Sequence, residues 1–191
     1  MLELAILGLL KEGSMHGYSL SKRLTEALGG FWRVSYGSLY PTLRRLEVAG
    51  AVEQVSADPL LARRKTVYRI TEKGEKLFLQ LLEEVGTDSA TEDTRFRIRL
   101  AFFRYLAPDT RVRVLERRRA SLEERLSSVT RSLTQDAATG DPYTRSLMQH
   151  GRDAIEQDIE WLDGLIAAER RLMTGTGGTR SRSLRRKERL T

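Results

Sequence analysis

Apolar residues open the chain in a helical rhythm. Leu2, Ala5, Ile6, Leu9 and Leu10 follow the i, i+3, i+4, i+7, i+8 spacing of one helix face, and Gly13 ends that helix. Ser14 is placed to cap a second helix, in which Leu20, Leu24 and Leu28 share a face. Gly29-Gly30 breaks it, and the apolar pair Phe31-Trp32 follows. Residues 35–50, SYGSLYPTLRRLEVAG, then read as one short helix with two unlike faces. Leu39, Leu43 and Leu46 recur at i, i+4 and i+7 on one stripe, while Tyr36, Tyr40, Arg44 and Arg45 fall off it. Gly50 sits where a helix commonly stops. The start has two readings. If Ser35 is the cap, Pro41 lies past the first turn and removes a backbone hydrogen bond. If Ser38 is the cap, Pro41 occupies a position where no intrahelical donor is needed. An irregular first turn is expected either way.

After Gly50 the period changes from helical to alternating. Residues 51–55 are short and β-branched, and residues 66–70, TVYRI, alternate in the manner of a strand. The loop between them has a turn signal at Asp58-Pro59 and three cations, Arg63, Arg64 and Lys65, at its far end. Thr71 caps a further helix with Leu77, Phe78, Leu81, Leu82 and Val85 apolar. Helix–helix–helix–hairpin–helix is the order of a winged helix-turn-helix. In that arrangement the leucines of the third helix are buried by the first two, and its other face is free for the major groove of DNA. Arginine takes guanine bidentately there, and tyrosine and serine hydroxyls reach phosphates. The expected DNA-facing set is therefore Ser35, Tyr36, Ser38, Tyr40, Arg44 and Arg45, with Arg63, Arg64 and Lys65 of the wing on flanking phosphates. The plain alternatives are an amphipathic surface helix and a solvated basic loop.

The second half is expected to be helical throughout. Residues 87–94, TDSATEDT, are small and polar and read as a linker or an exposed helix end. Periodicity resumes at residues 95–106, with Phe96, Leu100 and Phe103 on one face, and Pro108-Asp109 starts another helix. In that helix Val112, Leu115, Arg119, Leu122, Leu126, Val129 and Leu133 are spaced alternately by three and four, an a/d seam with one polar member. The run Arg117-Arg118-Arg119 has Glu116, Glu123 and Glu124 nearby, which favours an ion-paired helix face over a second DNA patch. Residues 143–173 form the last helix, with Leu162, Leu165 and Ile166 in a broad apolar face. The two long helices could pair within one chain, but their apolar width calls for a second subunit. A homodimer through both helices is expected, and its symmetry would match an inverted-repeat operator. Trp32 and Trp161 are either core residues or the lining of an apolar pocket for a flat ligand. The expected organisation is a DNA-binding domain at 1–86, a linker at 87–94, a helical dimerisation domain at 95–173 and a flexible basic tail at 174–191.

Charge sharpens this picture. The formal net charge of +7 is concentrated at the end: residues 1–86 carry +2, residues 87–173 carry zero, and residues 174–191 carry +5. A basic isoelectric point therefore says little about the folded part. There are no cysteines among the 191 residues, so disulfides, thiolate metal sites and cysteine nucleophiles are excluded. His16 and His150 are the only histidines, and neither has a partner at ligand spacing. No catalytic constellation, cofactor fingerprint or metal site is expected, and the chain does not read as an enzyme. No signal or membrane anchor is evident at the start, which suits a cytoplasmic protein.

Three ordered motifs carry a resemblance. HGYSL at residues 16–20, SLYPTLRRLE at 38–47 and YRITEKG at 68–74 are similar to those of the PadR family of bacterial transcriptional regulators. The resemblance covers about the first 85 residues closely. It implies a DNA-binding winged helix, a C-terminal helical dimerisation region and, often, control by a small molecule. Leu60-Leu61 departs from the pattern by adding apolar bulk to a normally polar wing. The reading that follows is a ligand-responsive dimeric repressor that binds double-stranded DNA, with a small aromatic effector as a further partner. The alternative is an architectural or protein-interaction module without a specific operator, separable by sequence-dependent binding.

Overall fold

A computed structural model of the chain describes residues 1–28, 36–55, 66–84, 89–135 and 141–187. Side chains are described within these stretches except at 27–28, 36, 89–91 and 175–187. The chain divides into two compact units, Met1–Leu106 and Ala107–Thr191.

In the first unit, α1 spans Leu2–Glu12, β1 Met15–His16, α2 Gly17–Leu28, α3 Tyr36–Val48, β2 Val52–Val55, β3 Val67–Ile70, α4 Glu72–Glu83 and α5 Ser89–Ala101. A 3-10 turn at Phe103–Tyr105 closes it. The apolar positions do what their spacing requires. Leu9 and Leu10 of α1, Leu20 and Leu24 of α2 and Leu39, Leu43 and Leu46 of α3 are all buried, and α1 packs against α2, α3 and α4. Phe78 of α4 meets Phe102 and Tyr105 edge-on, with ring centroids 5.8 and 5.5 Å apart. Such aromatic pairs add to the stabilisation that burial already supplies.

Three features differ from the pattern-based expectation. The sheet has three antiparallel strands in the order β1-β3-β2, so the hairpin has a third strand at one edge. Met15 and His16 pair with Tyr68 and Val67, and α2 consequently starts at Gly17 rather than under a Ser14 cap. Two residues are too few to show any period. Second, residues 89–94 are the first turns of α5, the helix end of the two readings and not the linker. Their polar composition is compensated from within: Glu92 and Arg99, two turns apart, form a 2.6 Å ion pair in which each side chain is 5% exposed. Third, residues 95–106 fall in the first unit and not with the long helices.

The junction of α3, β2 and α4 is tightly specified. Gly50, at φ 71°, adopts the left-handed conformation that ends α3, which a side chain would oppose. Thr71 caps α4: its Oγ1 accepts from the Gly74 amide at 3.1 Å and donates to the Gly50 carbonyl at 2.7 Å. Thr71→Ala removes both bonds. It is expected to cost about 1–2 kcal/mol, read from the midpoint of denaturant unfolding.

In the second unit, α6 spans Pro108–Gln135 and α7 spans Pro142–Lys187, and the two pack along each other as a hairpin. Asp141 caps α7. The Thr144 amide donates to its Oδ2 at 2.9 Å, and this bond, with that from the Thr144 hydroxyl, holds the carboxyl below its ordinary value. Val112, Leu115 and Leu122 of α6 and Leu162 and Ile166 of α7 are buried, while Leu126, Val129, Leu133 and Leu165 are half-buried. The first half of the seam expected to need a second subunit, through Leu122, is thus covered inside one chain, while Leu126, Val129 and Leu133 stay partly open. Polar rungs flank it: Arg119 Nε reaches Asp163 Oδ1 at 2.6 Å, Arg170 reaches Glu116 at 2.6 Å, and Arg111 reaches Glu169 at 3.2 Å. Arg119, the one polar member of the seam, is therefore paired across the hairpin. The backbone of α7 continues through Lys187, so residues 174–187 are helical rather than a flexible tail. Extending a formed helix costs far less than starting one, which carries α7 across the Gly/Thr run. Among the described residues no helix is long and apolar enough to cross a membrane.

Candidate nucleic-acid interface

The α3 helix is positioned by its buried face. Leu39, Leu43, Thr42 and Leu46 are each 3% exposed or less, which fixes the rotation of the helix about its axis. The opposite face then carries Ser38, Tyr40, Pro41, Arg44 and Arg45 outward. Pro41 lies inside the helix, whose first residue is Tyr36. This agrees with the reading in which the proline removes an intrahelical hydrogen bond, and it excludes Ser38 as the cap. The Ser38 carbonyl instead accepts from Thr42 Oγ1 at 2.8 Å.

Tyr40 is 48% exposed and lies across the start of α2. A Cβ on Gly17 would come within 3.0 Å of its ring and 3.3 Å of its hydroxyl, so the glycine of the HGYSL motif makes room for this tyrosine. Tyr18, beside it, is 66% exposed. Arg45 is held: its Nη2 donates to Thr42 Oγ1 at 3.1 Å and stands 3.8 Å from the Glu3 carboxylate of α1. Behind α3, burial pushes the Tyr68 phenol above its ordinary pKa, and the charges of Glu47 and Tyr40 add to the shift.

The wing strands pair from Val52↔Ile70 to Val55↔Val67, and Arg69 bonds Glu53 across them at 2.7 Å. Of the expected DNA-facing residues, Ser38, Tyr40, Arg44 and Arg45 come together on one face. Tyr36 is placed by its backbone alone. Ser35, Arg63, Arg64, Lys65 and the Leu60-Leu61 pair lie outside the described residues, as does Trp32. Trp161 is on α7 with 45% of its surface exposed. A cavity that the periodicity did not suggest lies within the first unit, lined by Leu4, Leu81, Ile98, Arg95 and Arg99 among others. Also unanticipated are Pro41 and Val48 on the outer face of α3. A helical wheel finds them, because 41, 44 and 48 form a stripe opposite the leucines.

Comparison with known proteins adds two family matches. Residues 6–80 match the transcriptional regulator PadR-like family, and residues 94–169 match a family described as virulence activator alpha C-term. The second match begins inside α5, ahead of the boundary at Ala107 drawn by packing. The chain is 23% identical to the negative transcriptional regulator PadR of Bacillus subtilis, over 87% of this chain and 96% of that protein. It is 26% identical to a Mycobacterium tuberculosis protein described as a probable transcriptional regulator, over 86% and 95%. Among solved structures, that of Bacillus subtilis PadR with operator DNA aligns at 21% identity over 87% of this chain and 97% of that one, with a TM-score of 0.40.

Proposed function

Because the chain belongs to the PadR-like family of transcriptional regulators, we propose that it represses transcription by binding an inverted-repeat operator as a homodimer, under the control of a small aromatic effector. The observation that carries the reading is the two-sided α3 helix, with leucines buried and Tyr40, Arg44 and Arg45 presented outward. A groove-reading helix needs this division: one face fixed to the domain and a polar, cationic face left for base edges and phosphates. The relative named as a negative regulator supports repression over activation.

In this reading residues 1–86 contact DNA, and the helices within residues 108–173 form the dimer through surfaces that the α6–α7 hairpin leaves uncovered. Tyr143, Leu147 and Leu172 of α7, between 62% and 85% exposed, are candidates for that contact. The effector acts near Trp32 or Trp161 and favours a state that fits the operator less well. It can shift that equilibrium only by its differential affinity for the two states. The protein works in the cytoplasm, where its operator is.

Arg44 and Arg45 test the reading. The full chain should prefer its operator over bulk DNA by about three orders of magnitude or more. Loss of the arginine that reads a base should cost about 1–3 kcal/mol, with reduced discrimination. Fluorescence anisotropy against operator and scrambled duplexes measures both. Wild-type operator affinity in the Arg44→Ala, Arg45→Ala double variant would sink the proposal. Sequence-independent binding would favour the architectural alternative.

A further inference from the structure

The outer stripe of α3 is not uniformly polar. Pro41, Arg44 and Val48 stand at i, i+3 and i+7, opposite Leu39, Leu43 and Leu46. Val48 is 83% exposed, so its side chain contributes almost nothing to the core. Pro41, Arg44 and Val48, with Arg45 and Ala49, line one shallow depression on the surface. The two arginines differ in what holds them. Arg45 is tied to Thr42 and leans toward Glu3 of α1, whereas among the described residues Arg44 has no hydrogen bond or ion pair. One arginine, though largely exposed, is thus tethered by partners within the domain, and the other is free to reach outward from between two apolar side chains.

We propose that Arg44 reads a guanine and that Pro41 and Val48, on either side of it, contact the 5-methyl groups of thymines. Each operator half-site then carries a guanine flanked at short range by thymines, and Arg45 serves as a backbone clamp. The inference rests on the DNA-binding reading above and specifies its recognition code. The chemistry is direct. Guanine offers two acceptors to a guanidinium in the major groove, and thymine alone offers a methyl group there. A neutral, waterless contact with that methyl is what an exposed valine can supply and a serine or lysine cannot. The spacing fits. Pro41 and Val48 are about 10.5 Å apart along the helix. That is about three base steps at 3.4 Å each, which leaves room for the guanine between them.

The test begins with the full chain and a randomised duplex library, from which the preferred site is selected. Each thymine near the central guanine is then replaced by deoxyuridine, which keeps base pairing and removes only the methyl group. A buried methyl is worth about a four-fold change in affinity, so two flanking replacements should each weaken wild-type binding by about that factor. Val48→Ala, at an exposed helical position, should bind uracil and thymine alike at one flank and keep the response at the other. Arg44→Ala should lose the guanine preference, while Arg45→Ala should weaken all sequences alike. A selected site whose thymines all tolerate uracil would overturn the methyl readout and leave the regulator reading standing. So would a Val48→Ala variant with wild-type discrimination. If no site is enriched at all, the regulator reading fails first and the recognition code with it.

Discussion

Gly74→Ala is expected to destabilise the first unit by about 3 kcal/mol or more, at or beyond the top of the range for overpacked sites. A Cβ at this position would sit 2.0 Å from the Ala51 carbonyl oxygen, 2.9 Å from its carbon and 2.8 Å from Ile70 Cγ1. The obstacle is backbone, so no rotamer change relieves it. The Ala51 carbonyl also accepts the Thr71 amide at 3.1 Å, and Ala51 starts the turn into β2. Moving it away would break the joint that sets the wing against α4. Gly164→Ala is the matched control. Gly164 lies in α7 with nothing within 4 Å of an added Cβ, so alanine should stabilise the helix by about 0.5–1 kcal/mol. Denaturant unfolding followed by circular dichroism measures both. Similar small effects in the two variants would show that the α4–β2 contact is looser than described.

Leu122→Asp should disrupt the α6–α7 hairpin itself. Leu122 is 2% exposed, and losing a buried leucine alone costs about 2–5 kcal/mol. An unpaired carboxylate in the same place adds a desolvation penalty. Loss of helical signal and a lower thermal midpoint are expected, and a cooperative transition at the wild-type temperature would contradict the packing. Because Leu122 is already covered within one chain, this variant cannot by itself report on a dimer. Leu147→Asp separates the two questions. Leu147 is 71% exposed, so the change should leave the folding of a single chain within about 0.5 kcal/mol. Sedimentation at micromolar concentration then reads only the proposed contact between copies, and an unchanged dimer would remove Leu147 from it.

The regular elements were legible because burial of one face imposes a period that survives in the residues. Leu39, Leu43 and Leu46 define α3 and its rotation by their spacing alone, and Thr71 announces the start of α4. The same periodicity sorts Tyr40 and Arg44 onto the outer face. Where polar residues satisfy one another, composition misleads. Glu92 and Arg99 look like solvent-facing charges in the chain, but they are buried as a 2.6 Å pair, and α5 starts where a linker or an exposed helix end was expected.

By itself, then, the amino-acid sequence determined the buried faces of the helices, the wing strands and the class of surface that α3 presents, since these depend on spacings of three, four or two residues. Tertiary structure alone decided what meets each face. It added Met15–His16 as a third strand, because a two-residue strand exists only by pairing with Tyr68 and Val67. It covered Leu115 and Leu122 of the seam with α7, because an apolar stripe encodes the need for a partner and not which partner is nearest. It also distinguished two adjacent arginines that the chain writes identically. Arg45 is held by Thr42 and Glu3, whereas Arg44 is not, and that difference depends on a carboxylate forty-two positions away being folded to within 3.8 Å.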